Sequence, residues 1–175
     1  MPDITIHNIR VHYRDRGESD QPVLVFIHGL GCSLKYWSYV FDAPELAHYR
    51  ILAIDLPGFG MSEKPETYDY SLFSQADLVS AFLQALHIQQ CMLIGHSMGG
   101  SIAILLAHTS PHLVARLLVI EPNLKASDAH LSQDIIQVSE AAFVRQYDKF
   151  RWTAVTTVQD WFVNSHRADI DGYSS

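Results

Sequence analysis

The chain has 175 residues, 48% hydrophobic and 18% charged, a composition typical of one globular domain and unlike that of disordered or fibrous chains. Its 12 basic and 19 acidic residues give a net charge of −7, which argues against nucleic acid as a partner. The apolar runs are too short to span a membrane, and the N-terminus lacks the apolar core of a secretory signal. We therefore expect a cytoplasmic protein, with Cys91 as a buried, reduced thiol.

The first third of the chain predicts an antiparallel hairpin followed by two buried strands. "ITIHNIRVHYRD" alternates in two short runs on either side of His7 and Asn8, which is typical of a hairpin. "PVLVFIHG" and "RILAIDLPGFG" are continuous apolar runs that end in glycine, the pattern of strands covered on both faces. The segment between them, "CSLKYWSYVFDAPELA", has its apolar residues at roughly helical spacing.

The middle of the chain alternates helices with strands. "SLFSQADLVSAFLQALHI" predicts an amphipathic helix, and the face we expect it to bury consists of Leu72, Ala76, Val79, Leu83 and Leu86. "CMLIG" predicts a buried strand, "SMGGSIAILLAHTSP" a buried helix stopped by Pro111, and "VARLLVIEP" a further strand. This order predicts the α/β class, with a mostly parallel doubly wound sheet preceded by an antiparallel hairpin.

Residues after Pro122 differ in character from the alternating part. "LSQDIIQVSEAAFVRQYDKF" and "VQDWFVNSHRADI" both have helical periodicity, and no later segment is a convincing buried strand. We therefore predict a sheet-containing core over residues 1–122 and a helical lid over residues 123–175.

One serine stands between glycines where a predicted strand gives way to a predicted helix. Residues Gly95 to Gly99 read G-H-S-M-G and fit the pattern G-x-S-x-G. In that context the serine occupies a sharp turn that exposes its hydroxyl at a helix N-terminus, where developing negative charge is stabilised. Ser97 is therefore the candidate nucleophile. The alternative is that Ser97 only caps the helix, but capping does not account for glycines on both sides.

Three motifs in order, "HGLG" (28–31), "DLPGFGMS" (55–62) and "GHSMGG" (95–100), carry a family resemblance. The chain resembles the α/β-hydrolase fold family in its branch of serine esterases, lipases and carbon–carbon hydrolases. The resemblance implies that the backbone N–H groups of Leu30 and Met98 form the oxyanion hole. It also implies a structural role for His28 as a brace of its loop, and it implies no metal ion and no organic cofactor.

Serine catalysis also needs a histidine base and an acid that orients the histidine. In the α/β-hydrolase family both residues follow the serine in the chain, and the acid precedes the histidine. Glu121, at the end of the strand after the serine helix, is the best available acid, although a charged residue at a strand end needs no catalytic role. Only His166 lies late enough for the base, and His130 is a weaker candidate. The late strands of the family are not recognisable, so we expect a C-terminally incomplete α/β-hydrolase fold.

Two functions follow from these expectations. The first is hydrolysis of a small apolar acyl ester through an acyl-enzyme on Ser97. The second is a catalytically incomplete fragment, or a binding or assembly module on the same scaffold. In the incomplete fold "RLLVIE" is an exposed edge strand, so we expect it to pair with a second copy or with a complementing C-terminal segment. Nucleotide binding is disfavoured because "HGLGCS" lacks the third glycine of G-x-G-x-x-G.

Overall fold

The computed structural model describes residues 1–125 and residue 145. The chain divides into two compact units, Met1–Leu124 and Lys125–Ser175. The domain boundary predicted after residue 122 stays a prediction. The lid predicted over residues 123–175 lies almost entirely outside the described residues and stays a prediction.

The first unit is built on a six-stranded mixed sheet, which confirms the predicted fold class. In chain order the strands are β1 (Asp3–Ile6), β2 (Ile9–Arg16), β3 (Val23–Ile27), β4 (Arg50–Ile54), β5 (Cys91–His96) and β6 (Val114–Ile120). Their order across the sheet is β1-β2-β4-β3-β5-β6. Strand β2 pairs antiparallel with β1 and β4, and the pairs among β3 to β6 are parallel. His7 and Asn8 have φ angles of 50° and 63°, as a tight turn between twisted strands requires, so the predicted hairpin is confirmed.

The central strands are apolar throughout because both faces of the sheet are covered. On one face, Val25 and Ile27 of β3 belong to the core formed with helices α1 (Leu72–Ala85) and α2 (Met98–Thr109). On the other face, Leu24 and Phe26 pack with a 3-10 helix, Leu34–Phe41. Successive side chains of a strand point to opposite faces, so a strand that is covered on both faces is apolar at every position. The uninterrupted apolar runs in the sequence therefore predicted these strands correctly.

The segment between β3 and β4 is helical as predicted, but it is a 3-10 helix and not an α-helix. Leu34, Trp37 and Val40 are buried at a spacing of three residues. That spacing matches the three residues per turn of a 3-10 helix, so one face of this segment meets the sheet.

Helix α1 buries most of its predicted face, with one exception. Ala76, Val79 and Leu83 are buried and Leu86 is half-buried, whereas Leu72 is exposed. Leu72 is the first residue of the helix, and it lines an open groove with Phe73 instead of packing on the sheet. Ser71 caps this helix by accepting a hydrogen bond from Ser74 N at 3.2 Å.

Strand β6 is an edge strand of the described sheet, as the sequence predicts. Its side chains Leu117, Leu118 and Ile120 are exposed. Cys91, at the start of β5, is a buried free thiol, and burial raises its pKa to about 12. Within the described ranges, the chain contains no helix long and apolar enough to cross a bilayer.

Candidate active site

The backbone reverses sharply at Ser97, between the last residue of β5 and the first residue of α2. Ser97 has φ 51° and ψ −120°, a conformation that a residue with a side chain rarely adopts. Its N–H donates to the carbonyl of Ile120 at the end of β6, at 2.8 Å, which ties the turn to the neighbouring strand. The residue as a whole is half-buried.

The glycines around Ser97 are required by close backbone contacts. A Cβ atom on Gly95 would lie 2.3 Å from the carbonyl oxygen of Gly99. A Cβ atom on Gly99 would lie 2.4 Å from the carbonyl oxygen of Ile27 in β3. Any side chain at either position would therefore separate helix α2 from the strands beneath it, which is the reason that the motif predicts a tight turn.

The hydroxyl of Ser97 does not cap helix α2. Ser97 stands just before the first residue of α2, and its side chain makes no capping hydrogen bond to the helix, in contrast to Ser71 at the start of α1. Among the residues that the structure describes, Ser97 Oγ forms no hydrogen bond at all. A cap is therefore not the reason for a serine at this turn.

The loop after β3 passes beside Ser97. Gly29 and Cys32 close a turn through a 3.2 Å bond from Cys32 N to the Gly29 carbonyl, and Gly31 has φ 71°. A Cβ atom on Gly29 would lie 3.3 Å from Ser97 Cβ, so the start of this loop contacts the serine turn. Leu30 forms the exposed tip of the turn.

The two backbone groups predicted for the oxyanion hole thus come from adjoining segments. Leu30 belongs to the loop beside Ser97, and Met98 is the first residue of α2. The N–H groups of a first helical turn have no acceptor within their own helix, so the position of Met98 suits a donor to an anion. The role of both groups as oxyanion donors stays a prediction.

Asp55 holds together the loops that surround the serine turn. Its buried carboxylate accepts a hydrogen bond from Leu34 N at 2.6 Å and another from Met61 N at 2.7 Å. The Ser62 hydroxyl donates to the Asp55 carbonyl at 2.6 Å. These bonds give Asp55 a structural role in holding the loops together.

His28 braces the same region and has no nitrogen left to serve as a base. Its Nε2 accepts a hydrogen bond from Leu56 N at 3.1 Å, so the ring proton lies on Nδ1 and is donated to the Gly29 carbonyl at 2.8 Å. Burial lowers the pKa of His28, opposed by the bond to Gly29 and by the charge of Asp55. Both nitrogens are therefore occupied, in agreement with the bracing role that the family resemblance implies.

His96 and Glu121 lie together beside the serine turn. His96 Nε2 is 3.9 Å from Glu121 Oε2, and the His96 ring stacks on Tyr36 with centroids 4.9 Å apart. Burial lowers the pKa of His96, and the Glu121 carboxylate acts in the opposite direction. Glu121 thus stands at the predicted edge of the sheet, but among the described residues its imidazole partner is His96. Its role as the catalytic acid stays a prediction.

The base candidates His130 and His166 lie outside the described residues. Sequence reasoning missed Tyr36, because nothing in a one-dimensional pattern connects an aromatic residue after β3 with a histidine at the end of β5. In the part of the chain that the structure describes, no group of three or more His, Cys, Asp or Glu residues is arranged to hold a metal ion.

Comparison with known families agrees with this geometry. The family model described as the alpha/beta hydrolase fold matches residues 22–174. The chain belongs to this family. The match covers β3 onward and includes the serine turn, the Gly29–Cys32 loop and the Asp55 loop.

Among individual relatives, the chain is 36% identical over 115 residues to the sn-1-specific diacylglycerol lipase ABHD11 of Danio rerio, covering 65% of this chain and 36% of the relative. It is 34% identical over 113 residues to epoxide hydrolase 4 of Homo sapiens, covering 64% and 31%. In structure it is similar to a bacterial membrane phospholipase A, with a TM-score of 0.73 and 32% identity, covering 87% and 49%. The chain thus spans less than half of each of these proteins.

Proposed function

We propose that this chain is a serine hydrolase that cleaves carboxylic esters through an acyl-enzyme on Ser97. The observation that carries the proposal is the state of the Ser97 side chain. It is held in a strained conformation, is left out of helix capping, and lies beside the Gly29–Cys32 loop. Strain of this kind persists where the surrounding structure enforces it, and it is concentrated at functional sites.

In the proposed reaction, Ser97 Oγ attacks the carbonyl carbon of the ester and loses its proton to a general base. The carbonyl oxygen becomes negative, and the N–H groups of Leu30 and Met98 stabilise it. The tetrahedral intermediate then expels the alcohol, which leaves with that proton, and water later releases the acid by the same route. Loss of one donor in such a hole typically slows the reaction by about 10²–10³.

The proposal also requires a base and an acid. His28 is unavailable because both of its ring nitrogens bond to the backbone. The order serine, acid, histidine leaves Glu121 as the acid that we propose, with His166 ahead of His130 as the base. If neither histidine acts, the chain is catalytically incomplete by itself and the alternative of a binding or assembly module applies.

The substrate that we propose is a small ester with an apolar acyl group. The family includes the diacylglycerol lipase and the phospholipase A described above, and also an epoxide hydrolase. Epoxide hydrolysis in this fold needs a carboxylate nucleophile, and the turn here carries a serine. Ester cleavage is therefore the better match for this chain.

The test is covalent labelling together with turnover. The chain and a Ser97→Ala variant are incubated with a fluorophosphonate probe and, separately, with p-nitrophenyl acetate and butyrate. We expect labelling of the wild-type chain at Ser97 by peptide mass spectrometry, faster ester release than from the variant, and no label on the variant. Equal turnover by both proteins without labelled serine would reject the hydrolase and favour the binding module.

A further inference from the structure

The imidazole of His96 touches three separate segments around the proposed site. Its ring stacks on Tyr36 of the 3-10 helix, with an interplanar angle of 16°. Its Nε2 faces Glu121 at the end of β6, and a Cβ atom on Gly29 would lie only 3.0 Å from its Nδ1. One side chain therefore contacts the residues on both sides of the turn that carries Leu30.

The turn is also held through the Gly29 carbonyl, which accepts hydrogen bonds from His28 Nδ1 at 2.8 Å and from Cys32 N at 3.2 Å. A Cβ atom on Gly31 would meet no atom within 4 Å, so the tip of the turn projects from the described part of the chain. The Asp55 carboxylate fixes the chain just beyond the turn through Leu34 N, at 2.6 Å. The bonds to the Gly29 carbonyl orient the planar Gly29–Leu30 peptide, and the position of that peptide beside Ser97 also depends on the contact of Gly29 with His96.

A histidine is an unexpected choice for this packing position. Its Nδ1 is buried and has no hydrogen-bond partner among the described residues. An unpaired buried polar atom lowers stability, so packing alone would favour an apolar ring. The ring lies stacked on Tyr36 with Nε2 facing the Glu121 carboxylate at 3.9 Å and Nδ1 facing Gly29.

We propose that His96 is a positioning residue which, stacked on Tyr36 and oriented by Glu121, holds the Gly29–Cys32 turn so that the Leu30 N–H faces the oxyanion. The effect on catalysis rests on the proposed hydrolase function, whereas the effect on the loop does not. His96 acts through the turn and does not exchange a proton with Ser97. Since an oxyanion donor acts mainly in the transition state, its misplacement slows the chemical step and leaves reagent binding unchanged.

The experiment varies the ring that meets His96. Tyr36→Leu removes the stack and Tyr36→Phe keeps it. Tyr39→Leu is the matched control on the same 3-10 helix, because the Tyr39 ring, like that of Tyr36, lies near Trp37, whereas the stack on His96 belongs to Tyr36. Far-UV circular dichroism checks that each variant is folded. The rate constant for fluorophosphonate labelling of Ser97 and the half-saturating probe concentration are measured separately, and ¹⁵N relaxation reports the order of the Leu30 and Gly31 amides.

We expect Tyr36→Leu to slow labelling at saturation about tenfold or more with little change in half-saturation, since a lost oxyanion donor costs about 10²–10³. Tyr36→Phe and Tyr39→Leu should label like the wild type. The amide order parameters should fall from about 0.85 toward about 0.6 in Tyr36→Leu alone. Wild-type labelling and unchanged order parameters in Tyr36→Leu would overturn the proposal.

The two proposals fail in different ways. A wild-type chain that takes no probe rejects the hydrolase function, and the order parameters still test whether the stack on His96 holds the turn. A wild-type chain that labels at Ser97, with Tyr36→Leu indistinguishable from it in both measurements, rejects only the positioning role.

Discussion

The strained turn at Ser97 makes an opposite prediction for two substitutions at one position. Ser97→Ala keeps the Cβ atom and removes only a hydroxyl that makes no capping bond in the described helix α2. We therefore expect its free energy of unfolding to stay within about 0.5 kcal/mol of the wild type. Ser97→Gly removes the Cβ atom that disfavours φ 51°, so it should stabilise the protein.

The size of that stabilisation follows from two opposing effects. A non-glycine residue in such a conformation costs about 1–3 kcal/mol in the folded state. Glycine loses about 0.5–1 kcal/mol more than alanine through the freedom of its unfolded backbone. The net gain expected for Ser97→Gly is about 1 kcal/mol, or roughly 0.5 M in the midpoint of urea unfolding.

Ser71→Ala provides the matched control for this measurement. Ser71 stands at the corresponding position of α1, but its hydroxyl accepts the Ser74 N–H at 3.2 Å. Its removal should cost about 1 kcal/mol. Urea unfolding followed by circular dichroism measures all three variants. If Ser97→Ala loses as much stability as Ser71→Ala, and Ser97→Gly gains none, then Ser97 is a cap and the reasoning from strain is wrong.

Three further predictions concern the surroundings of the serine turn. Gly99→Ala forces a Cβ atom against the carbonyl oxygen of Ile27 at 2.4 Å. It should therefore lower the free energy of unfolding by about 1–3 kcal/mol and slow probe labelling about 10²-fold. The control is Gly100→Ala, whose Cβ atom would lie 3.1 Å from its nearest neighbour and which should change both quantities far less. Burial lowers the pKa of His28 below 6.5, so the unfolded chain binds a proton first as the pH falls. The contribution of His28 to the free energy of unfolding should be complete above about pH 6.5 and should decline below it. In His28→Gln the free energy of unfolding, measured with urea at a series of pH values, should fall less steeply as the pH is lowered. Equal slopes of this free energy against pH in both proteins would contradict the prediction. We propose that the exposed β6 edge pairs with a second copy of the chain. In size-exclusion chromatography the wild-type chain should then elute as a dimer and the Leu118→Lys variant as a monomer. A monomeric wild type would exclude the pairing.

Local patterns in the sequence were sufficient for the elements and for the nucleophile candidate. The hairpin at His7 and Asn8, the doubly covered strands and the end of α2 before Pro111 all follow from short-range periodicity and turn chemistry. The glycines on both sides of Ser97 predicted a close approach of strand and helix, and the contacts of Gly95 and Gly99 supply the reason.

The environment of the candidate site could not be predicted in the same way. The exposure of Leu72 and the 3-10 geometry of Leu34–Phe41 depend on where each segment meets the sheet. The assignment of both His28 nitrogens to backbone partners depends on Leu56, which belongs to another loop. Such bonds join residues that are distant in the chain, and a single sequence contains no record of those pairings.

The sequence by itself determined the order of strands and helices and the identity of the residue at the sharp turn, because periodicity and glycine placement act over a few neighbouring residues. Only the tertiary structure decided that the Ser97 hydroxyl is not a cap, that His28 has no nitrogen to spare, and that His96 lies between Tyr36 and Glu121. The physical reason is that parallel strands bring their carboxyl ends to one edge of the sheet, where residues from distant segments become neighbours.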